Sequence, residues 1–314
     1  FAEIIPQIGA DPDEINSLEA NVEFFPDRPD LLSTEGVARA LRAFTEQKLG
    51  LVEYEVKAPT TQMFISSEVM QVRPCITSGI VRGITLDNNA IKSLMELQEK
   101  LHITLGRKRK KVSIGIHDLS KIEGPFNYDL CSPHEPAFIP LQKDYEMTPQ
   151  EILEEHPKGI EYAHLLSEFN KYPIIKDSND EVVSLPPIIN GALTTVTEDT
   201  TDVLIDVTGL DENAVESCLN IVAAALVERG GNIEQIELKF PSENKITPSM
   251  KPTIHKIEND YLIKLLGFDP GQFVIFKAFR KCGMEPELNE DTWTVKVPSY
   301  RADILHPIDL LEEV

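Results

Sequence analysis

The sequence has no apolar run that approaches about 18 residues, so it carries no membrane-spanning helix. It has only four cysteines, Cys75, Cys131, Cys218 and Cys282, far apart and with no C-x-x-C pair. That spacing excludes a zinc knuckle and a disulfide scaffold and points to a reducing compartment, so a cytoplasmic location is expected. Basic residues are scarce: 30 Lys and Arg stand against 52 Asp and Glu, a formal net charge of −22. Such an acidic balance excludes general affinity for nucleic acid, and any phosphate binding has to come from a local patch. There is no G-x-S-x-G, no H-E-x-x-H, no P-loop and no G-x-G-x-x-G after a strand. The familiar nucleophile, metalloprotease and nucleotide signatures are thereby excluded. The seven histidines do not cluster, and isolated ones such as His164 read as structural. Internal repeats and low-complexity tracts are absent. The sequence starts at Phe1 without a basic-then-apolar leader, so no signal peptide is expected and the natural chain is expected to begin upstream.

What is present is an ordinary globular pattern. A chain of 314 residues exceeds what one hydrophobic core usually holds, and 41% hydrophobic residues suit two or three domains. The pattern divides near 1–70, 71–242 and 243–314. In the first segment, Ser33 reads as a helix cap, and Val37, Leu41 and Phe44 at helical spacing carry the helix to about Gln47. "VEYEVKAP" reads as a strand. In the second, Ile91, Leu94, Leu97 or Gln98, and Leu101 share a helical face, and Gly106 ends that helix. "KVSIGIHDL" alternates as a half-buried strand does, and Thr148, Pro149 and Glu151 form a capping box. "DVLIDVTG" is a buried strand. Asp211 then caps a helix with Val215, Leu219, Val222 and Leu226 as its apolar stripe and Gly230 as its stop. The third segment predicts two short helices near 256–266 and 270–282, a strand, "TWTVKVP", and a final helix in which the sequence stops.

Three constellations could carry chemistry. Arg107 to Lys111 is the one dense basic run, at a helix-to-strand junction; it reads as a solvated turn or as a phosphate-binding edge. Ser184, Asn190, Asp206 and Thr208 are polar residues within or beside apolar strands; they read as strand-end chemistry or as the polar groups of a pocket. Asp303, Asp309, Glu312 and Glu313 read as acids complementing a helix start, or as oxygen ligands for Mg²⁺.

"FFPDRPDLLSTEGVARAL", "LQEKLHITLGRKRKKVSIGIHD", "SLPPIING", "IDVTG" and "VPSYRADILHPIDLLEEV", in that order, resemble the β subunit of phenylalanyl-tRNA synthetase of the archaeal and eukaryal type. The resemblance covers nearly the whole chain and implies an N-terminal portion of that subunit. It implies an α+β multidomain fold: an N-terminal α/β domain (1–70), a central α+β editing domain with mixed sheets (71–242) and a small winged-helix-like domain (243–314). It also implies an α subunit in an α₂β₂ heterotetramer that uses ATP to ligate phenylalanine to its tRNA, and a β domain that hydrolyses tyrosine wrongly attached to that tRNA. Residue by residue, the resemblance assigns Ile175, Ser184, Asp206 and Thr208 to recognition of the tyrosine hydroxyl. Gln98, Glu99, Arg109 and Asn190 match the pocket entrance and its reacting end. Leu141 falls near the terminal adenosine, and Arg107, Lys108 and Arg109 face the tRNA acceptor end. Asp303, Asp309, Glu312 and Glu313 match Mg²⁺ positions of the full enzyme. Two departures stand out: isoleucine replaces the usual leucine at Ile175, and "NGALTTVTED" lacks an arginine that the family commonly places there. The chemistry expected is attack by a positioned water, with Glu99 ordering it and Asn190 donating to the oxyanion. The alternative is a non-catalytic scaffold that binds tRNA or the α subunit.

Overall fold

Ser33 opens the first helix as its cap, with its Oγ accepting the Gly36 N–H at 3.1 Å. A helix start leaves such donors unpaired unless a side chain meets them. The computed structural model describes residues 2–16 and 20–314. Strands β1 (Ala10–Ile15) and β2 (Ala20–Phe24) pair antiparallel, and helix α1 (Thr34–Phe44) follows them. These elements belong to a unit made of Phe1–Tyr54 together with Met250–Val314; the segment Glu55–Ser249 forms a second unit. The sequence pattern divides the chain into three consecutive segments, 1–70, 71–242 and 243–314. The first and third share one unit, and residues 55–70 and 243–249 go to the central one.

The reason lies in the central sheet. Its elements are β3 (Val56–Lys57), β4 (Gln62–Ile65), β5 (Cys75–Arg82), α2 (Asn88–Ile103), β6 (Val112–Asp118), β7 (Phe126–Cys131), α3 (Pro149–Glu155) and α4 (Pro157–Tyr162). There follow β8 (Tyr172–Lys176), β9 (Val182–Leu185), β10 (Ile189–Asn190), β11 (Asp202–Gly209), α5 (Glu212–Val227), β12 (Asn232–Lys239) and β13 (Asn244–Thr247). The order is β10-β9-β8-β7-β4-β12-β5-β11-β6, with β3 and β13 also paired to β12. Strand β12 runs parallel to β3 and β4 and antiparallel to β5 and β13, so it draws both flanking segments into the sheet. Of the strand expected at "VEYEVKAP", only Val56–Lys57 finds a partner. The two ends of the order approach each other: Ser113 at the start of β6 donates to Pro187 O at 3.4 Å, between β9 and β10. The mixed sheet is thus nearly closed.

Local signals hold well here. Thr148 and Glu151 form the capping box, and Asp211 Oδ1 caps α5 through Ala214 N at 2.8 Å. Val215, Leu219, Val222 and Leu226 are all buried, as are Cys218, Ile221 and Ala223 to Ala225 between them. Burial pushes the Cys218 thiol up to about 12, so it is inert at neutral pH. No disulfide forms among the four cysteines, and no helix among the described residues is long and apolar enough to cross a membrane.

The other unit closes with β14 (Thr253–Glu258), α6 (Asn259–Leu266), α7 (Gln272–Lys281), β15 (Glu285–Asn289) and β16 (Thr292–Val297). The sheet order is β14-β16-β15, and its core centres on Phe279, Trp293 and Val295. The Trp293 indole N–H donates to Asn259 Oδ1 at 2.9 Å, so burial of that ring leaves no donor unpaired. The last segment, Pro307–Glu313, is a 3₁₀ helix where an α-helix was expected.

Candidate functional site

Where the two ends of the central sheet approach, they enclose a cavity of about 230 Å³. Gln98, Glu99, Arg109, Leu141, Ser184, Asn190 and Asp206 all line it, although they come from positions spread between residues 98 and 206. Strand β6 supplies the floor. Residues 113, 115 and 117 share one face of it, and at Ser113 and Gly115 that face is nearly bare.

Glu99 lines the cavity. Its Oε2 accepts from Arg109 Nη2 at 3.2 Å and from His102 Nδ1 at 3.3 Å, and Lys158 Nζ lies 3.5 Å from Oε1. The Ile114 N–H donates to His102 Nε2 at 2.8 Å, which fixes the imidazole with its proton on Nδ1, facing Glu99. Burial pushes the His102 pKa down, against the pull of Glu99, and the ring stays neutral. The His102 hydrogen bond, helped by Arg109 and Lys158, holds the Glu99 carboxyl down at about 2. A carboxylate so far below neutrality is a weak base. Its chemistry is that of a fixed hydrogen-bond acceptor, not of a proton-abstracting base. The depressed pKa also sets a pH dependence. The stabilisation from these contacts is complete above the ordinary carboxylate range and is lost as pH falls through that range toward 2. The melting-temperature difference between wild type and Glu99→Gln is therefore expected to shrink on acidification from pH 5 to pH 2; a constant difference would contradict the assignment.

The basic run splits in two. Arg107, Lys108 and Arg109 are all left-handed, with φ of 47°, 55° and 64°, a conformation that costs a non-glycine residue about 1–2 kcal/mol. Arg73, buried beneath, compensates. Its Nη2 donates to Arg109 O at 3.1 Å and to Thr208 O at 2.8 Å, its Nη1 to Lys110 O at 3.3 Å, and its Nε to Thr208 Oγ1 at 2.9 Å. The turn points Arg109 inward, where Nη1 donates to Ile188 O at 2.8 Å and the guanidinium lies 4.5 Å over the Tyr162 ring. Arg107, Lys108 and Lys110 stay exposed, and Lys111 pairs with Asp211 at 3.3 Å.

Ser184 and Asp206 are buried yet border the cavity, with Asn190 opposite Ser184 in the β9–β10 ladder. Among the described residues, Ser184 and Asn190 make no side-chain hydrogen bond. Asn190 O receives the Leu141 N–H at 2.9 Å, which places Leu141 beside it. Two expected residues are elsewhere. Thr208 is fully buried and bonded to Arg73, and Ile175 packs in the core with Phe126 and Tyr128, opposite Ser184 in the β8–β9 ladder. Sequence reasoning missed Arg73, His102, His117, Lys158 and Tyr162. For His117 a signal existed: in "VSIGIHD" the face opposite the isoleucines reads Ser, Gly, His, two small residues and then a polar one. Nothing local marks Arg73.

The four C-terminal carboxylates belong to the other unit. Arg301 Nη2 lies 2.6 Å from Asp303 Oδ2 and 2.5 Å from Glu313 Oε1. Asp309 Oδ2 accepts the N–H groups of Leu305 and His306, at 2.8 and 2.7 Å. Among the described residues no group of three or more His, Cys, Asp and Glu is placed to hold a metal. Mg²⁺ demands oxygen ligands converging octahedrally; with Asp303 and Glu313 neutralised by arginine and Asp309 capping backbone, this arrangement does not fit it.

A family profile described as "B3/4 domain" matches residues 82–239, the span that contains every cavity residue, and one described as "tRNA synthetase B5 domain" matches 255–314. The chain superposes on an N-terminal fragment of the phenylalanyl-tRNA synthetase β-subunit from Pyrococcus horikoshii with a TM-score of 0.95 and 36% identity, covering 99% of this chain and 91% of that one. The chain belongs to the archaeal-type phenylalanyl-tRNA synthetase β-subunit family. The phenylalanine–tRNA ligase β subunit of Methanosarcina barkeri is 48% identical over 98% of this chain and 57% of its own length. That of Archaeoglobus fulgidus is 44% identical over 99% of this chain and 56% of its own. The chain thus spans little more than half the length of these β-subunit relatives.

Proposed function

We propose that the cavity hydrolyses tyrosine esterified to the phenylalanine tRNA, within a cytoplasmic synthetase whose α subunit uses ATP and Mg²⁺ to attach phenylalanine. The observation that carries this is the set of polar groups that one cavity gathers. Asp206 and Ser184 border it as buried acceptors and donor for a phenol hydroxyl, Asn190 stands opposite Ser184 in the β9–β10 ladder, and Glu99 lines it as an anion held by Arg109 and His102. A synthetic pocket shaped for phenylalanine rejects an added hydroxyl only about a hundredfold. A second site that hydrogen-bonds the hydroxyl inverts the preference, because phenylalanine leaves its buried groups unpaired.

The chemistry follows from the geometry. An aminoacyl ester is already activated, so a held water and a polarised carbonyl suffice. Glu99, locked as an anion, accepts from the water and orients it. The Gln98 amide is anchored to Ile114 O at 2.6 Å and presents its carbonyl oxygen. Asn190, with its amide unengaged, donates to the developing oxyanion. Ser184 has no histidine beside it and serves recognition, not attack.

In the complete synthetase, tyrosine on the phenylalanine tRNA is expected to be released at least tenfold faster than phenylalanine on the same tRNA. Equal rates would overturn the reading and leave a scaffold that binds tRNA or the α subunit. The exposed half of the basic run faces the acceptor end in this proposal. Lys108→Ala/Lys110→Ala is expected to weaken tRNA binding and to flatten its log–log salt dependence by about 0.7 per lost contact to a single strand. A wild-type slope in that variant would make the run a solvated turn.

A further inference from the structure

We propose that His117 determines amino-acid specificity without touching the substrate, by clamping Asp206 in place. The proposal rests on the editing reading above. His117 is fully buried and does not border the cavity, whereas Asp206 does. His117 Nε2 lies 2.6 Å from Asp206 Oδ2, and Nδ1 lies 2.9 Å from Thr194 Oγ1. A contact of 2.6 Å between a ring nitrogen and a carboxylate oxygen needs a proton between them, whichever atom carries it. Thr194 in turn donates to Gly191 O at 3.3 Å, next to Asn190. The imidazole therefore ties the recognition carboxylate to the turn that follows the strand of the oxyanion donor.

The sheet register shows why this pair forms. Asp206 sits opposite Gly115 and Leu204 opposite His117 in the β6–β11 ladder, so the imidazole must reach diagonally along one face. It crosses over Gly115. A Cβ there would collide with both Asp206 Oδ2 and His117 Nε2. The absence of a side chain at 115 and the imidazole at 117 are one device. With Oδ2 held, the carboxylate cannot rotate, and Oδ1 remains as a fixed acceptor for a ligand hydroxyl. A freely rotating carboxylate would pair with water instead and recognise a hydroxyl less sharply. His117 is thus a positioning residue, and its loss falls on discrimination ahead of hydrolysis.

The test uses the complete synthetase with tyrosine and phenylalanine each esterified to the phenylalanine tRNA. His117→Gln places an amide nitrogen where Nε2 was and keeps the bond to Asp206; His117→Asn reaches only the Nδ1 position and keeps the bond to Thr194. His117→Asn is expected to lower the ratio of tyrosine to phenylalanine release tenfold or more, with phenylalanine release unchanged. His117→Gln is expected to stay within about threefold of wild type. Both variants keeping the wild-type ratio would overturn the proposal, as would both losing it equally, which marks a merely structural role. Should either variant unfold on heating well below wild type, Thr194→Val serves in its place. It frees the far end of the ring and is expected to lower the ratio severalfold, and an unchanged ratio there overturns the clamp. A wild-type enzyme without tyrosine preference would sink the editing reading and this inference together, whereas a preference that survives His117→Asn sinks the inference alone.

Discussion

Arg73→Met is expected to destabilise the central unit by about 3 kcal/mol or more, a large share of the roughly 5–15 kcal/mol that a domain has. The guanidinium is buried, and no carboxylate pairs with it among the described residues. Burial pushes its pKa down to about 10, with Tyr128 and Asp206 pulling the other way, and it remains a cation at neutral pH. Its partners are four oxygens, those of Thr208 Oγ1, Thr208 O, Arg109 O and Lys110 O. Methionine fills the volume and leaves the carbonyls stranded, at about 1–3 kcal/mol for each that water cannot reach. Against this, removal of a buried charge recovers part of its desolvation penalty. The left-handed turn at 107–109 loses the bonds that offset its strain, and Arg109 loses the support that points it at Glu99. Urea unfolding followed by far-UV circular dichroism measures the first effect. A midpoint shifted by less than about 1 kcal/mol would show that Arg73 is not what holds the turn. Lys at this position is no rescue, since a point ammonium cannot reach four acceptors in a plane.

What the sequence carried and what it did not divide along sequence distance. Helix caps at Ser33, Thr148 and Asp211 were readable because donor and acceptor lie three residues apart. The apolar stripe of α5 was readable for the same reason. The pairing of β3 with Ile233 and Glu234 was not, because no local feature of "VEYEVKAP" encodes its partner. The joining of 1–54 with 250–314 was hidden likewise. At the cavity, residue type pointed to Asn190, Ser184 and Asp206, and the family resemblance to Glu99. Direction did not: Arg109 turns in and Lys108 out through left-handed backbone angles that Arg73 supports from beneath. Thr208 lies two residues from Asp206 in the same strand and shares its face, yet its hydroxyl belongs to Arg73.

Asp206→Ala is expected to slow release of tyrosine from the phenylalanine tRNA by about 10–150-fold and to leave release of phenylalanine nearly unchanged. A hydrogen bond to a charged group contributes about 1.5–3 kcal/mol, and each 1.4 kcal/mol is a factor of ten. Ser184→Ala removes a neutral partner, about 0.5–1.5 kcal/mol, so a loss of roughly two- to twelvefold is expected. If both groups bind one phenol hydroxyl, the double variant loses less than the product of the two, as coupled sites do. Additive losses would place them on different ligand atoms. Alanine at 206 also strands the His117 imidazole, so stability has to be followed in parallel. Asp206→Asn separates the effects: it keeps an oxygen for His117 and loses the charge. A variant that folds like wild type yet releases tyrosine slowly attributes the loss to recognition. The logic requires the penalty to fall on tyrosine alone. In the editing proposal phenylalanine offers Asp206 no donor and leaves a buried carboxylate oxygen unpaired. Removing that oxygen takes a partner from tyrosine alone, so the tyrosine rate falls toward a phenylalanine rate that stays nearly unchanged.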